Sequence, residues 1–186
     1  MKLFKYKSLS NPWHLLDIVA NQRLYCAHWT TLNDPLEGRF EVFLEEEELT
    51  TEAVSRIQKA RDEYRIASLS ADPNNLLMWS HYADGHKGVV VEVDIPNDHE
   101  DLVKLVYTDF SAVFNGEMRT KDMRCLFNGK TPEWAYEKEY RIITKSEFFN
   151  LPKPVKKILL GSKVDNTHRE ILIKLLPSNV EVVERN

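Results

Sequence analysis

Cysteine is scarce. The 186-residue chain has two, Cys26 and Cys125, which excludes a disulfide scaffold of the kind that small secreted domains build. Cys26 lies in the apolar run Leu24-Tyr25-Cys26-Ala27, where a small hydrophobe fits, and no bridge between the two is expected. No apolar run approaches the roughly 20 residues that cross a bilayer. The opening Met1-Lys2-Leu3-Phe4-Lys5-Tyr6-Lys7 has no apolar stretch of signal-peptide length. A cytoplasmic protein with no membrane partner is therefore the expectation. Basic charge is not in excess either: 25 Lys and Arg face 29 Asp and Glu, a net charge of −4. That lacks the overall basic character of many nucleic-acid binders, although a local basic cleft stays open. There is no repeat, low-complexity tract or interdomain linker. Composition is that of an ordinary globular chain, and the length suits one domain over 1–186.

The pattern predicts interspersed strands and helices. Leu3 to Lys7 alternates apolar and basic residues and reads as a strand. Asn11-Pro12 opens a helix with Pro in its first position, and Asn21 ends it. Arg23 to Ala27 reads as a second strand and Thr51 to Tyr64 as a helix. Tyr64 to Ser70 reads as a strand, and Asp72-Pro73 as the N-cap pair of a helix that Gly85 stops. Val89 to Val93 is the clearest strand, and Leu102 to Tyr107 is another. A short helix is expected near Met118 to Phe127. Trp134 to Ile143 alternates as a strand, and Lys157 to Leu160 is a strand ending at Gly161. Thr167 and Glu170 form a capping box, and Val180 to Val183 closes the chain as a strand. Without strict βαβ alternation, these elements predict an α+β fold. Its sheet is mixed, mostly antiparallel and open to being split in two, with helices packed outside.

Four constellations could carry chemistry. Asn33-Asp34-Pro35-Leu36-Glu37 is a rigid turn or a grip on a substrate hydroxyl or cation. Ser68-Leu69-Ser70 puts two hydroxyls on one strand face and Leu69 on the other; they bond a ribose or phosphate, or simply end a strand. In Met78-Trp79-Ser80-His81-Tyr82-Ala83-Asp84-Gly85-His86-Lys87-Gly88, the Met, Trp, Tyr and Ala share an apolar helix face. His81 and Asp84 are one turn apart and could pair. No metal-ligand spacing occurs there, and Gly85 and Gly88 suit left-handed turns. In Trp134-Ala135-Tyr136-Glu137-Lys138-Glu139-Tyr140-Arg141-Ile142, strand alternation sets Glu137, Glu139 and Arg141 against Trp134, Tyr136, Tyr140 and Ile142. That polar face is either a solvated ionic ladder or a cleft wall in which Arg141 orders Glu139, and paired carboxylates suit general-base work or ribose binding.

Together with Phe4-Lys5-Tyr6, these stretches resemble an uncharacterised bacterial family, the domain of unknown function numbered twenty-nine seventy-one. They fall in that family's order and span most of the chain. More distantly, the order of a basic residue, Ser-x-Ser and Glu-x-Glu resembles the ADP-ribosyltransferase fold, with Lys5 standing where Arg or His is usual. This second resemblance implies NAD as substrate and a toxin or phage-defence effector that modifies nucleic acid or protein. It implies Lys5 and Tyr6 at the cofactor, Asn33, Asp34 and Glu37 nearby, and Ser68 and Ser70 bracing the ribose. Trp79 or Tyr82 would stack on nicotinamide. Glu139 would stabilise the developing oxocarbenium ion, Glu137 would activate the acceptor, and His81 and Arg141 would assist. Two other readings remain open: a nucleotide or nucleic-acid hydrolase using Asp34, Glu37 and His81, and a non-catalytic ligand-binding module whose Glu137 and Glu139 face bulk water.

Overall fold

The computed structural model describes residues 1–34, 51–108 and 123–185. It is an α+β arrangement around one large, mostly antiparallel mixed sheet. Strand β1 (Lys2–Lys7) leads into helix α1 (Trp13–Asn21). Pro12 stands at its N-cap rather than in its first position, Asn11 just before it accepts from the Trp13 N–H at 3.3 Å, and Gln22 closes it in the left-handed region at φ 51°. The strand expected over Arg23 to Ala27 is two strands, β2 (Arg23–Tyr25) and β3 (Ala27–His28). They break at Cys26, whose N–H turns aside to Glu147 O at 2.8 Å.

Helix α2 (Thr51–Asp62) precedes β4 (Arg65–Ser70). Helix α3 (Leu76–Tyr82) starts later than Asp72-Pro73 suggests: Asn75 is its N-cap, accepting from Leu77 and Met78 N–H. Asp72 instead accepts from the Asn74 N–H and the Lys138 ammonium. Beyond α3 the chain turns through Asp84, Gly85 and His86, all at positive φ. Gly88 is needed for a different reason. A Cβ there would stand 2.2 Å from Lys7 O, so only glycine lets β5 (Val89–Asp94) start against β1.

Leu102 to Tyr107 also divides, into β6 (Leu102–Lys104) and β7 (Val106–Tyr107). Strand β8 (Gly129–Lys130) follows a 3-10 turn at Met123–Phe127, the described part of the helix expected there. The chain ends with β9 (Glu139–Thr144), β10 (Phe148–Asn150), β11 (Lys157–Leu160), helix α4 (Asn166–Leu175) and β12 (Glu181–Glu184). The cap of α4 is Asp165, which accepts from the His168 N–H, rather than a Thr167–Glu170 box.

The large sheet runs β12-β11-β5-β1-β4-β9-β6, and β3 also pairs with β4. Only β11 and β12 are parallel within it, with α4 as their crossover. Alternation along β5 buries both faces: Val89, Val91 and Val93 join the core of Leu15, Ile18, Leu172 and Leu176, while Val90 joins Phe4, Tyr6, Met78 and Trp79 under α3. The site depends on how β1 leaves β4. The two pair at one position, Phe4 with Ser70, and β3 takes over only at Ile66. Between them, β4 has β9 on one side and an opening on the other.

Candidate functional site

A cavity of ≈ 280 Å³ occupies that opening. Its walls include Lys5, Tyr6, Asn33, Ser68, Ser70, Tyr82, Glu137 and Glu139, all residues the sequence singled out. Lys5 bridges the gap. The Ser68 carbonyl has no strand partner on that side, and the Lys5 ammonium donates to it at 2.8 Å. Burial, reinforced by the neighbouring Lys7 charge, pulls the Lys5 amine down to about 7.

The acidic pair reaches the cavity by a route that alternation does not describe. Residues Pro132–Glu137 form a 3-10 helix, not a strand. Pro132 stands in the first turn of that helix, where its missing N–H costs little and its fixed φ suits a helical start. Lys138 then adopts φ 46°, ψ 49° and aims Glu137 and Glu139 at the same space. The strand begins at Glu139, so Trp134 and Tyr136 do not alternate with Tyr140 and Ile142. From Glu139 onward the expected faces hold: Ile142 and Tyr140 pack in the core or against it. Ser70 sits opposite Glu139 and Ser68 opposite Arg141 across β4 and β9, so these four side chains share one face.

Neither carboxylate faces bulk water: Glu137 is 3% exposed and Glu139 4%. Lys130 Nζ donates to Glu137 at 2.6 Å and to Glu139 at 3.2 Å. Arg141, itself buried, donates through Nε to Glu139 Oε1 at 2.7 Å and through Nη1 to Phe127 O at 2.8 Å. The Tyr82 hydroxyl donates to Glu137 at 2.5 Å and accepts from Asn33 Nδ2 at 2.6 Å. The Ser70 hydroxyl donates to the Glu137 carbonyl at 2.6 Å. The Tyr107 hydroxyl accepts the Glu139 N–H at 2.7 Å.

These partners separate the two acids. Burial opposes charge on both. At Glu139 the Arg141 and Lys130 cations, with a Ser68 hydrogen bond, outweigh burial and hold the carboxyl down to about 2. Glu137 has no guanidinium, and burial wins there, raising it above the usual carboxylate range. Lys130 stays charged: burial works against its ammonium, but the Glu139 and Glu137 carboxylates hold it above its ordinary value. One fixed anion beside one acid ready to exchange a proton is a recurrent catalytic arrangement.

Other expectations are not brought together here. Trp79 has no exposed surface, and its indole donates to Pro73 O at 2.7 Å. It is packed edge-on to Tyr6 and stacked on His86, so it belongs to the core rather than to a ligand. Tyr6 gives its hydroxyl to Asp72 O. His81 is exposed, forms no pair with Asp84, and does not line the cavity. Asp34 is buried beside Asn33 without lining it. Pro35, Leu36, Glu37 and the acidic run at Glu45 to Glu48 lie outside the described residues.

Lys130 and Lys7 are the functional candidates that pattern reading missed. Lys130 closes a stretch with no clear periodicity, and only the parallel pairing of Tyr107 with Lys130 carries it to Glu139. Lys7 sits on the same strand face as Lys5 and lines the same cavity, so its alternation with Lys5 was the available signal. Cys26 and Cys125 form no disulfide with each other, and burial pushes the Cys26 thiol up to about 11. Among the described residues no helix is long and apolar enough to cross a membrane, and no group of three or more His, Cys, Asp or Glu gathers as a metal site. No family model, curated protein or solved structure matches the chain.

Proposed function

We propose that the cavity between β1 and β4 binds NAD and transfers its ADP-ribose, with release of nicotinamide, to an acceptor such as nucleic acid or protein. The observation that carries this reading is the pair of buried acids with opposite protonation tendencies on the cavity wall. The cavity volume lies just below the ~300–1,000 Å³ typical of small-molecule sites, which suits one nucleoside half of such a ligand. Lys5 and Lys7 bring to its floor two amines that a bound phosphate would hold protonated against their burial, and Ser68 and Ser70 give hydroxyls.

In this reading Glu139, held as a carboxylate, faces the ribose and stabilises positive charge that develops as the C1′–N bond breaks. Fixed charges of this type, placed where charge develops, are usually the largest catalytic contribution. The bonding electrons leave with nicotinamide. Glu137, with the more basic carboxylate, takes the proton from the acceptor atom as that atom bonds to C1′. Tyr82 and Asn33 fix the orientation of Glu137. Arg141 is a positioning residue that acts through Glu139.

One feature of Glu139 favours a second reading. Lys130, two nitrogens of Arg141 and Ser68 already direct four hydrogen bonds to it, about as many as a carboxylate accepts. A non-catalytic nucleotide-binding module, braced by this ionic cluster, fits that saturation. In the transferase, a ribose hydroxyl must displace the longer Lys130 contact.

The assay is nicotinamide release from NAD by the purified chain, with and without cell lysate as acceptor source, beside Glu139→Gln. Release that falls a hundredfold or more in the variant supports the transferase, in line with the ~10²–10³ lost when one group that stabilises transition-state charge is removed. No release, with NAD binding retained in calorimetry, selects the binding module. Neither release nor binding rejects both.

A further inference from the structure

A second cavity, of ≈ 370 Å³, adjoins the first and shares Lys5, Lys7 and Tyr25 with it. It lies on the α1 and β2 side, where Trp13, Arg23 and Phe148 complete its walls. Its aromatic rings differ in freedom. Phe148 is covered by the Arg23 guanidinium at 3.6 Å and meets the Tyr25 ring in a T-shaped contact. Arg23 is also spent on Asp17, at 2.8 Å. Trp13, by contrast, is 73% exposed and Tyr25 50%. The Trp13 indole makes no ring contact or hydrogen bond among the described residues.

Exposed indole at the mouth of a cavity is expensive surface that a flat aromatic ligand would cover. The charge is arranged differently from the rings. Lys5 and Lys7 stand at the border of the two cavities, and Lys7 has no ion pair among the described residues. A ligand that fills both cavities therefore needs an anionic group in its middle and a ring system at each end.

Resting on the NAD reading above, we infer that this second cavity is the subsite for the non-reacting nucleotide of a dinucleotide, with its base against Trp13 and Tyr25 and its phosphate over Lys7 and Lys5. The first cavity then holds only the reacting half, which accounts for its modest volume. Trp13, Tyr25 and Lys7 become specificity residues that touch substrate but not the reacting bond.

The test is calorimetric titration of AMP, with adenosine as the uncharged control, into the full chain and its Trp13→Ala and Lys7→Met variants. Trp13 is mostly exposed, so its removal leaves the fold intact. AMP is expected to bind the wild-type chain more tightly than adenosine does, with Trp13→Ala weakening it roughly tenfold, as loss of one aromatic stacking partner does. Lys7→Met weakens AMP but not adenosine. NAD should compete with AMP for the site. AMP binding that ignores both variants overturns the inference, as does no AMP binding at all. Displacement of AMP by a short single-stranded oligonucleotide but not by NAD also overturns it, because the subsite would then belong to an acceptor strand. The readout is independent of turnover: AMP binding that needs Trp13, in a chain that releases no nicotinamide, keeps the subsite and rejects the transferase alone.

Discussion

Lys5 Nζ and the main-chain oxygen of Ser68 meet at 2.8 Å across the place where β1 parts from β4. A side chain there does the work of a missing ladder bond. The backbone carbonyl would otherwise be left without a partner in a partly enclosed space, which costs about 1–3 kcal/mol. The same contact puts a titratable amine into the candidate site, so the opening in the sheet and the chemistry of its floor have one origin.

The Lys5 amine gives the fold a pH dependence with a definite sign. Its folded value is about 7 against 10.5 for the free side chain, chiefly through burial. Below pH 7 the folded state must carry a charge that burial disfavours, so the full cost is present there. The cost fades as pH rises from 7 towards 10.5, because the unfolded chain binds the extra proton in that window. Urea midpoints at pH 6 and pH 10 should therefore rise with pH in the wild-type chain, and rise less in Lys5→Met. An identical rise in both would mean that the buried amine stays protonated throughout.

Arg141 compensates a buried anion, so its loss should be costly. Arg141→Met leaves Glu139 with one cation fewer in a site that excludes water, and breaking a buried pair in this way costs about 3–5 kcal/mol. Adding Glu139→Gln should recover much of that loss, since the uncompensated charge is gone. Chemical denaturation of the two single variants and the double variant closes the cycle. If the losses simply add, the two side chains are not coupled as their 2.7 Å contact requires.

Lys138 is the hinge of the acidic pair, and its backbone is what matters. At φ 46° glycine is at ease and a β-branched residue is not. Lys138→Gly should hold the melting temperature close to that of the wild type, losing only an exposed ion pair with Asp72, a contact worth little at a surface. Lys138→Val should cost about 1–3 kcal/mol in strain and lower nicotinamide release or NAD affinity with it. Equal stability of the two variants would show that the left-handed turn is not needed to bring Glu137 to Glu139.

Much of the architecture was legible because burial imposes a period. Val89 to Val93, Lys157 to Leu160 and the Ser68-Leu69-Ser70 alternation are strands in the structure because one or both faces meet core. The α+β class followed from their interspersion with helices. Where the reading failed, a contact or turn outside the pattern overrode it. Asn75 rather than Asp72 caps α3 because Asp72 is held by Lys138, a partner 66 residues away. The strand expected from Trp134 begins only at Glu139, because Pro132 opens a 3-10 helix that runs to Glu137.

By itself, then, the sequence determined the strand faces, the polar residues worth watching and the sign of the charge each carries, since alternation and residue type are local properties. Only the tertiary structure decided that Glu137 and Glu139 are a buried pair rather than a solvated ladder. Their protonation is set by Lys130 and Arg141, and Lys130 arrives through a pairing of β7 with β8 that no local pattern encodes. The cavity itself belongs to the same class of fact. It exists because β1 and β3 claim different ends of β4, and a gap between strands is a property of their assembly.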